Sequence, residues 1–242
     1  MTRYGYSPAP DGPAPLGLVV LQVDETIEGD LRRMLPVDVA LYITRVPSSA
    51  DVTPENLKAM THHLTDAARL LPQTRCFDVV GYGCTSATAQ IGAAQVATLI
   101  KAGVDAARVS DPLTALRAAC GAMGVGELAL LSPYTADVSE RLQAALSQSG
   151  IGTPVFGSFE EANEANVARI SPRALVDAAC DLAGQGRVGA IFLSCTNLRT
   201  LDVIETIEAR TGLPCLSSNQ VLAWHMSAQA RVPGQLGSLS AS

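Results

Sequence analysis

The sequence predicts an α/β protein made of two pseudo-symmetric halves whose parallel sheets face one shared cleft, and three observations carry that prediction. Apolar runs of strand length alternate with amphipathic helical patterns along most of the 242 residues. The halves echo one another at a constant offset of 111 residues. Cys84 in Asp78-Val-Val-Gly-Tyr-Gly-Cys84 answers to Cys195 in Gly189-Ala-Ile-Phe-Leu-Ser-Cys195, Leu31 to Leu142 and Ile27 to Val138 (195 − 84, 142 − 31 and 138 − 27). Each of the two cysteines closes an apolar run, where a parallel sheet presents its ligand site.

The elements follow in order. Residues 1–15 hold four prolines and two glycines without apolar periodicity and read as a flexible leader. β-rich runs are expected at about 16–22, 38–46, 76–83, 127–132, 189–195 and 213–217, with helical patterns between most of them. Thr53-Pro54-Glu-Asn opens a helix expected over 53–71, with a capping threonine and a proline in the first turn, and Ser171-Pro172 repeats the device. Pro47 and Pro72 mark boundaries.

A second echo pairs Arg108-Val-Ser110-Asp-Pro-Leu-Thr-Ala-Leu with Cys215-Leu-Ser-Ser218-Asn-Gln-Val-Leu, so that each copy ends in a strand and then a helix. If those helices cross over, the halves are discontinuous, Rossmann-like domains. Residues 1–112 with 218–242 would carry the first cysteine and 113–217 the second. Glu160-Glu-Ala-Asn-Glu reads as a solvated helical face, and His225, beside the single tryptophan Trp224, as a packing histidine. The Ser- and Gly-rich tail after Pro233 reads as frayed.

Composition narrows the function. A chain that is 48% hydrophobic and 17% charged can bury a core without staples. The net charge of −6, without a dense basic cluster, speaks against nucleic acid as a partner. The apolar run over 16–21 is too short to span a bilayer and no targeting signal precedes it, so a cytoplasmic protein with no membrane partner is expected. The six cysteines are then expected to be reduced. No CxxC occurs, and His62, His63 and His225 form no zinc pattern, so no metal is expected. Cys76, Cys120, Cys180 and Cys215 lie in apolar or alanine-rich surroundings and read as small buried hydrophobes.

Cys84 and Cys195 differ from those four. Each is followed by small polar residues, Thr85-Ser86 and Thr196-Asn197, and then by a helical pattern. A helix N-terminus stabilises thiolate and leaves N–H groups free for a carboxylate. One thiolate and one thiol on opposite sides of a bound acid can take a proton from one face and deliver one to the other. Alternatively, one can add to a double bond and later leave. Neither reaction needs a cofactor.

These motifs resemble the aspartate/glutamate racemase superfamily and, within it, the branch of maleate cis-trans isomerase and arylmalonate decarboxylase. The segments concerned are Gly83-Cys84-Thr85-Ser86, Ser132-Pro133-Tyr134 with Val138-Ser-Glu-Arg-Leu142, and Leu193-Ser194-Cys195-Thr196-Asn197, and the likeness covers residues 16 to about 225. The resemblance implies that Cys84 is a nucleophile or base and Cys195 a proton donor or acceptor. It further implies that Thr85, Ser86 and Tyr134 hold a substrate carboxylate while charge builds up on it as an enediolate; Thr196 is expected to anchor the same group and Asn197 to bind substrate beside it. Arylmalonate decarboxylases carry glycine at the position of Cys84, so two thiols favour an isomerase or racemase of a small carboxylic acid. A decarboxylase or lyase using Cys195 alone is the alternative. Ser217-Ser-Asn-Gln-Val-Leu-Ala-Trp224-His225 also resembles ectoine-utilisation members, which would act on or bind an amino-acid-like metabolite. Similar proteins are homodimers or larger homo-oligomers.

One segment departs from the pattern. Asp24, in Gln22-Val-Asp24-Glu-Thr-Ile-Glu28, stands where maleate isomerases have a carboxylate-binding asparagine. An ionised aspartate repels a second carboxylate and attracts an ammonium or amidine. Either Asp24 is protonated, or the substrate carries a nitrogen. The same aspartate also suits a helix cap.

Overall fold

The computed structural model describes residues 1–8, 12 and 15–232. The first sheet is built from β1 (Pro15–Leu21), β2 (Ala40–Val46), β3 (Phe77–Gly83) and β4 (Ala106–Ser110) in the order β2-β1-β3-β4, all parallel. The second, from β5 (Glu127–Tyr134), β6 (Gly152–Glu161), β7 (Ala190–Leu193) and β8 (Cys215–Ser217), runs β6-β5-β7-β8. The two orders are the same pattern, so the repeat read from the cysteine spacing is a repeat of topology. In each sheet the strand order reverses between the first and third strands, and the crevice at such a reversal is where parallel sheets bind ligands. Cys84 follows β3 and Cys195 follows β7, at matching places.

The helices of the first half are α1 (Ile27–Met34), α2 (Pro54–Ala59), α3 (Leu64–Arg69), α4 (Thr85–Ile91) and α5 (Ala93–Lys101), followed by α6 (Pro112–Met123). The rest are α7 (Ala136–Gln148), α8 (Glu164–Val167), α9 (Pro172–Ala183), α10 (Ile204–Thr211) and α11 (Ser218–Ala230). Strands buried on both faces need continuous apolar runs. In β1, Leu16, Leu18 and Val20 join one core and Val19 and Leu21 another, and each core also takes residues from the second sheet. Helix α11 follows the last strand of the second sheet but packs on α1, α6 and β3. That approach is close, since a Cβ on Gly81 would meet Met226 Sδ at 2.5 Å. Among the described residues no helix is long and apolar enough to cross a membrane.

Of the four cysteines expected to be buried small hydrophobes, Cys120 and Cys215 are buried, whereas Cys76 is exposed and Cys180 half-buried. Three expectations about elements are corrected. The single helix expected over 53–71 is two helices, α2 and α3, parted by a 3₁₀ turn at Met60–His62. There the Thr61 hydroxyl donates to the Lys58 carbonyl, so a short polar side chain competes for a backbone acceptor in a Thr-His-His stretch of weak helix formers. Strand β6, which contains Pro154 and Gly157, was not among the expected runs. It is an edge strand with a register shift near its start, where proline is tolerated. Third, Glu160-Glu-Ala-Asn-Glu is not a solvated helical face: Glu160 and Glu161 end β6, Asn163 caps α8, and Glu164 is buried. The tail after Pro233, which the sequence reads as frayed, and part of the proline-rich leader lie outside the described residues.

Candidate active site

Cys84 is the N-cap of α4, and its Sγ accepts the Ala87 N–H at 3.3 Å. Thr85 and Ser86 form the first turn behind it, both buried. The Thr85 hydroxyl donates to Ser218 Oγ at 2.7 Å, whereas Ser86 Oγ has no protein hydrogen-bond partner and remains available to a ligand. Ser218 Oγ also accepts the Cys195 N–H at 3.0 Å. The first residue of α11 therefore ties the two cysteine loops together.

Cys195 is held differently. It was expected to sit at a helix N-terminus like Cys84, but residues 196–203 are turns and irregular chain and the next helix, α10, starts at Ile204. Its backbone has φ +133°, a region left almost entirely to glycine, and such strain is retained only where surrounding bonds fix it. Those bonds are the Ser218 contact, the Asn197 N–H donated to Sγ at 3.2 Å, and a 2.9 Å contact between Sγ and the Tyr134 hydroxyl.

Tyr134, at the end of β5, also donates its hydroxyl proton to Glu164 Oε1 at 2.7 Å, and Asn197 Nδ2 donates to Glu164 Oε2 at 2.8 Å. Glu164 is the residue that sequence reasoning missed. Had β6 been recognised, the rule that ligands gather beyond strand carboxyl ends would have pointed to the residues just after Glu161.

Asp24 follows β1 and stands two residues before Thr26, the N-cap of α1. Oδ1 accepts the N–H groups of Thr26 and Ile27 at 2.8 and 2.9 Å, which caps α1, and Oδ2 accepts the Thr196 hydroxyl at 2.9 Å. The Thr196 hydroxyl also lies 3.1 Å from the Gly83 carbonyl, and Asn197 receives the Glu25 N–H on Oδ1 and the Thr26 hydroxyl on its carbonyl, both at 2.9 Å. Six of the eight residues singled out in the sequence (Asp24, Thr85, Tyr134, Cys195, Thr196 and Asn197) therefore belong to one hydrogen-bonded network between the halves, with Glu164 and Ser218 added, and Cys84 and Ser86 flank it on either side of Thr85 in the chain.

Burial governs the electrostatics. It pushes the Cys84 and Cys195 thiols upward, and the Glu164 and Asp24 charges push the same way against the stabilising Ala87, Tyr134 and Asn197 donors. Burial also raises Asp24 and Glu164 above the usual carboxylate range. Arg45, the cation that acts on Asp24, donates to the Leu21, Gln22 and Asp24 carbonyls and is paired with Glu28 at the rim. The cluster is acidic, so a bound anion would find hydroxyl and backbone donors rather than a positive charge.

Two facing parallel sheets with a thiol at the same strand end of each define a class of thiol-dependent α/β proteins suited to moving a proton across a small bound acid. The profile of the arylmalonate decarboxylase family matches residues 16–239, and the chain belongs to that family. It is 32% identical over 213 residues to arylmalonate decarboxylase of Bordetella bronchiseptica, covering 86% of this chain and 87% of that one. It is 25% identical over 217 residues to maleate isomerase of Geobacillus stearothermophilus, with 84% and 86% covered. Among solved structures, a liganded arylmalonate decarboxylase mutant with one glycine changed to cysteine and one cysteine to serine aligns with a TM-score of 0.82 at 26% identity, covering 93% of this chain and 96% of that one. The resemblance to the maleate isomerase and arylmalonate decarboxylase branch is borne out.

Proposed function

We propose that this protein is a cofactor-independent, two-cysteine isomerase or racemase of a small carboxylic acid. The observation that carries the reading is the presence of both thiols, at equivalent strand ends and in one buried cluster. As a thiolate, Cys84 adds to the substrate double bond or takes the Cα–H. Cys195 returns a proton to the opposite face, or takes one in the reverse direction. Addition moves the π electrons into an enediolate, rotation follows about the resulting single bond, and departure of the thiolate restores the alkene. Thr85, Ser86, Tyr134 and Thr196 anchor the carboxylate, Asn197 lines the same wall, and Asp24 reads the substrate's remaining polar group. With acidic groups in the cluster, an ammonium or amidine suits that position better than a second carboxylate. The working unit is a cytoplasmic homodimer or higher homo-oligomer, with 1–112 plus 218–242 and 113–217 as its two domains.

A decarboxylase reading has the 32% identical relative in its favour. Proton NMR in D2O separates the two, using wild type, Cys84→Ala and Cys195→Ala with maleate, aspartate, glutamate, phenylmalonate and amino-acid-like acids. Deuterium incorporation or cis-to-trans conversion that disappears in both variants is the expected result. Loss of CO2 that survives Cys84→Ala would establish the decarboxylase instead. Binding without turnover in any form would make the protein a metabolite binder.

A further inference from the structure

The two-thiol reading leaves open how a thiol buried among acids becomes a thiolate. The hydrogen inventory around Tyr134 supplies an answer. Its hydroxyl has one proton and two neighbours, Glu164 Oε1 at 2.7 Å and Cys195 Sγ at 2.9 Å. When that proton points at a Glu164 carboxylate, the Cys195 contact is made by S–H donating to the tyrosine oxygen. When it points at sulfur, the sulfur accepts as a thiolate and the tyrosine oxygen accepts a proton from a neutral Glu164.

We propose that Glu164 is a positioning residue that takes the Cys195 proton through Tyr134, so that the three side chains form a two-state proton relay. In the forward shift the S–H bond breaks and its proton joins the tyrosine oxygen, while the tyrosine's own proton leaves to form an O–H bond on Glu164 Oε1. The products are a thiolate, an intact tyrosine and a neutral carboxylic acid. Net charge is unchanged. Losing the proton to solvent would instead add a negative charge beside Asp24 and Glu164.

The surroundings are arranged for this exchange. Asn197 holds both ends of the relay, donating its N–H to Cys195 Sγ at 3.2 Å and its amide to Glu164 Oε2 at 2.8 Å. The first contact favours the thiolate, and the second keeps Oε1 turned toward the tyrosine. Burial, which raises Glu164 above ordinary carboxylates, makes it a better proton acceptor. All four residues, Tyr134, Glu164, Cys195 and Asn197, come from the second half of the chain. The relay does not depend on closure against the first half.

The test needs no substrate, so its outcome is independent of whether the isomerase reading holds. The alkylation rate of Cys195 by iodoacetamide is followed by peptide mass spectrometry between about pH 6 and pH 8, at reagent concentrations where rate scales with concentration. Wild type, Glu164→Gln, Tyr134→Phe and the double variant are compared, with thermal melting as the control for folding. A relay makes the wild-type rate nearly flat with pH, because the proton moves internally. Glu164→Gln should label about tenfold more slowly near neutrality and rise about tenfold per pH unit, the slope of a thiol ionising to solvent. Tyr134→Phe, which keeps the carboxylate, should behave the same, and the double variant should lose nothing further. It also decides the matter if Glu164→Gln fails to fold. A wild-type slope already near tenfold per unit, or faster labelling in Glu164→Gln, would mean that Glu164 only repels the thiolate and would overturn the proposal.

Discussion

Asp24 serves the fold with one oxygen and the site with the other. Oδ1 caps α1 through two N–H groups, and Oδ2 takes the Thr196 hydroxyl from across the cleft. Asp24→Asn separates those duties. The amide oxygen still accepts from Thr26 and Ile27, and Thr196 can still donate to the Gly83 carbonyl, but the negative charge is gone. A hydrogen bond to a charged group contributes about 1.5–3 kcal/mol, so kcat/KM for an ammonium-bearing acid should fall roughly tenfold to a hundredfold while a dicarboxylate gains. The ratio of the two kcat/KM values measures this, and an unmoved ratio would leave Asp24 with capping alone. Both cysteines and the hydroxyls beside them were legible in the sequence because their signals are local: a strand end, a thiol, and small polar residues. Glu164 was not legible, since its meaning depends on the side chains of Tyr134 and Asn197, each about 30 residues away.

At the scale of elements, the contact between α1 and α11 contains a titrating group. Asp30 on α1 is 7% exposed and accepts the Asn219 amide of α11 at 2.8 Å. Burial raises its pKa from 3.8 to about 6, against the pull of Asn219 and Arg33. A carboxyl raised on folding contributes fully below the unfolded pKa, and that contribution is lost as pH climbs through the folded one. Wild type should therefore lose up to about 3 kcal/mol between pH 3.8 and about 6 from this group. Asp30→Asn keeps an acceptor for Asn219 and removes the charge. Thermal melting should show the variant more stable than wild type at about pH 7.5, with the difference vanishing near pH 4. A constant difference across that range would mean that Asp30 does not titrate on folding. The elements themselves were only partly legible. Strands buried on both faces, such as β1, announce themselves as apolar runs, whereas β6 carries edge-strand residues that look like loop. Helix α11 begins Ser218-Asn-Gln, and the tie Ser218 makes by accepting from both Thr85 and Cys195 has no local signature in the sequence.

For the whole molecule, the seam between the halves runs through the site. Thr196 reaches Asp24 and Gly83, Asn197 reaches Glu25 and Thr26, and Thr85 reaches Ser218. At the rim, exposed pairs between Arg33 and Asp202 and between Arg169 and Glu25 add weaker ties. Cys84 and Cys195 are only 5% and 3% exposed, so parting of the halves is the route the proposed function implies for a substrate, and it would break the bonds that hold these side chains in place. Thr196→Val tests that coupling, because valine matches the shape of threonine but removes the hydroxyl whose proton is shared by the acceptor pair Asp24 Oδ2 and Gly83 carbonyl across the seam. Loss of such a pair costs about 1–2 kcal/mol, which raises the population of the open form by roughly tenfold. Labelling of Cys84 by a small alkylating reagent should quicken by that factor, KM should rise, and the melting temperature should fall by a few degrees. Unchanged labelling of Cys84 with a lowered melting temperature would show that Thr196 supports the second half alone and that the substrate enters without parting the seam.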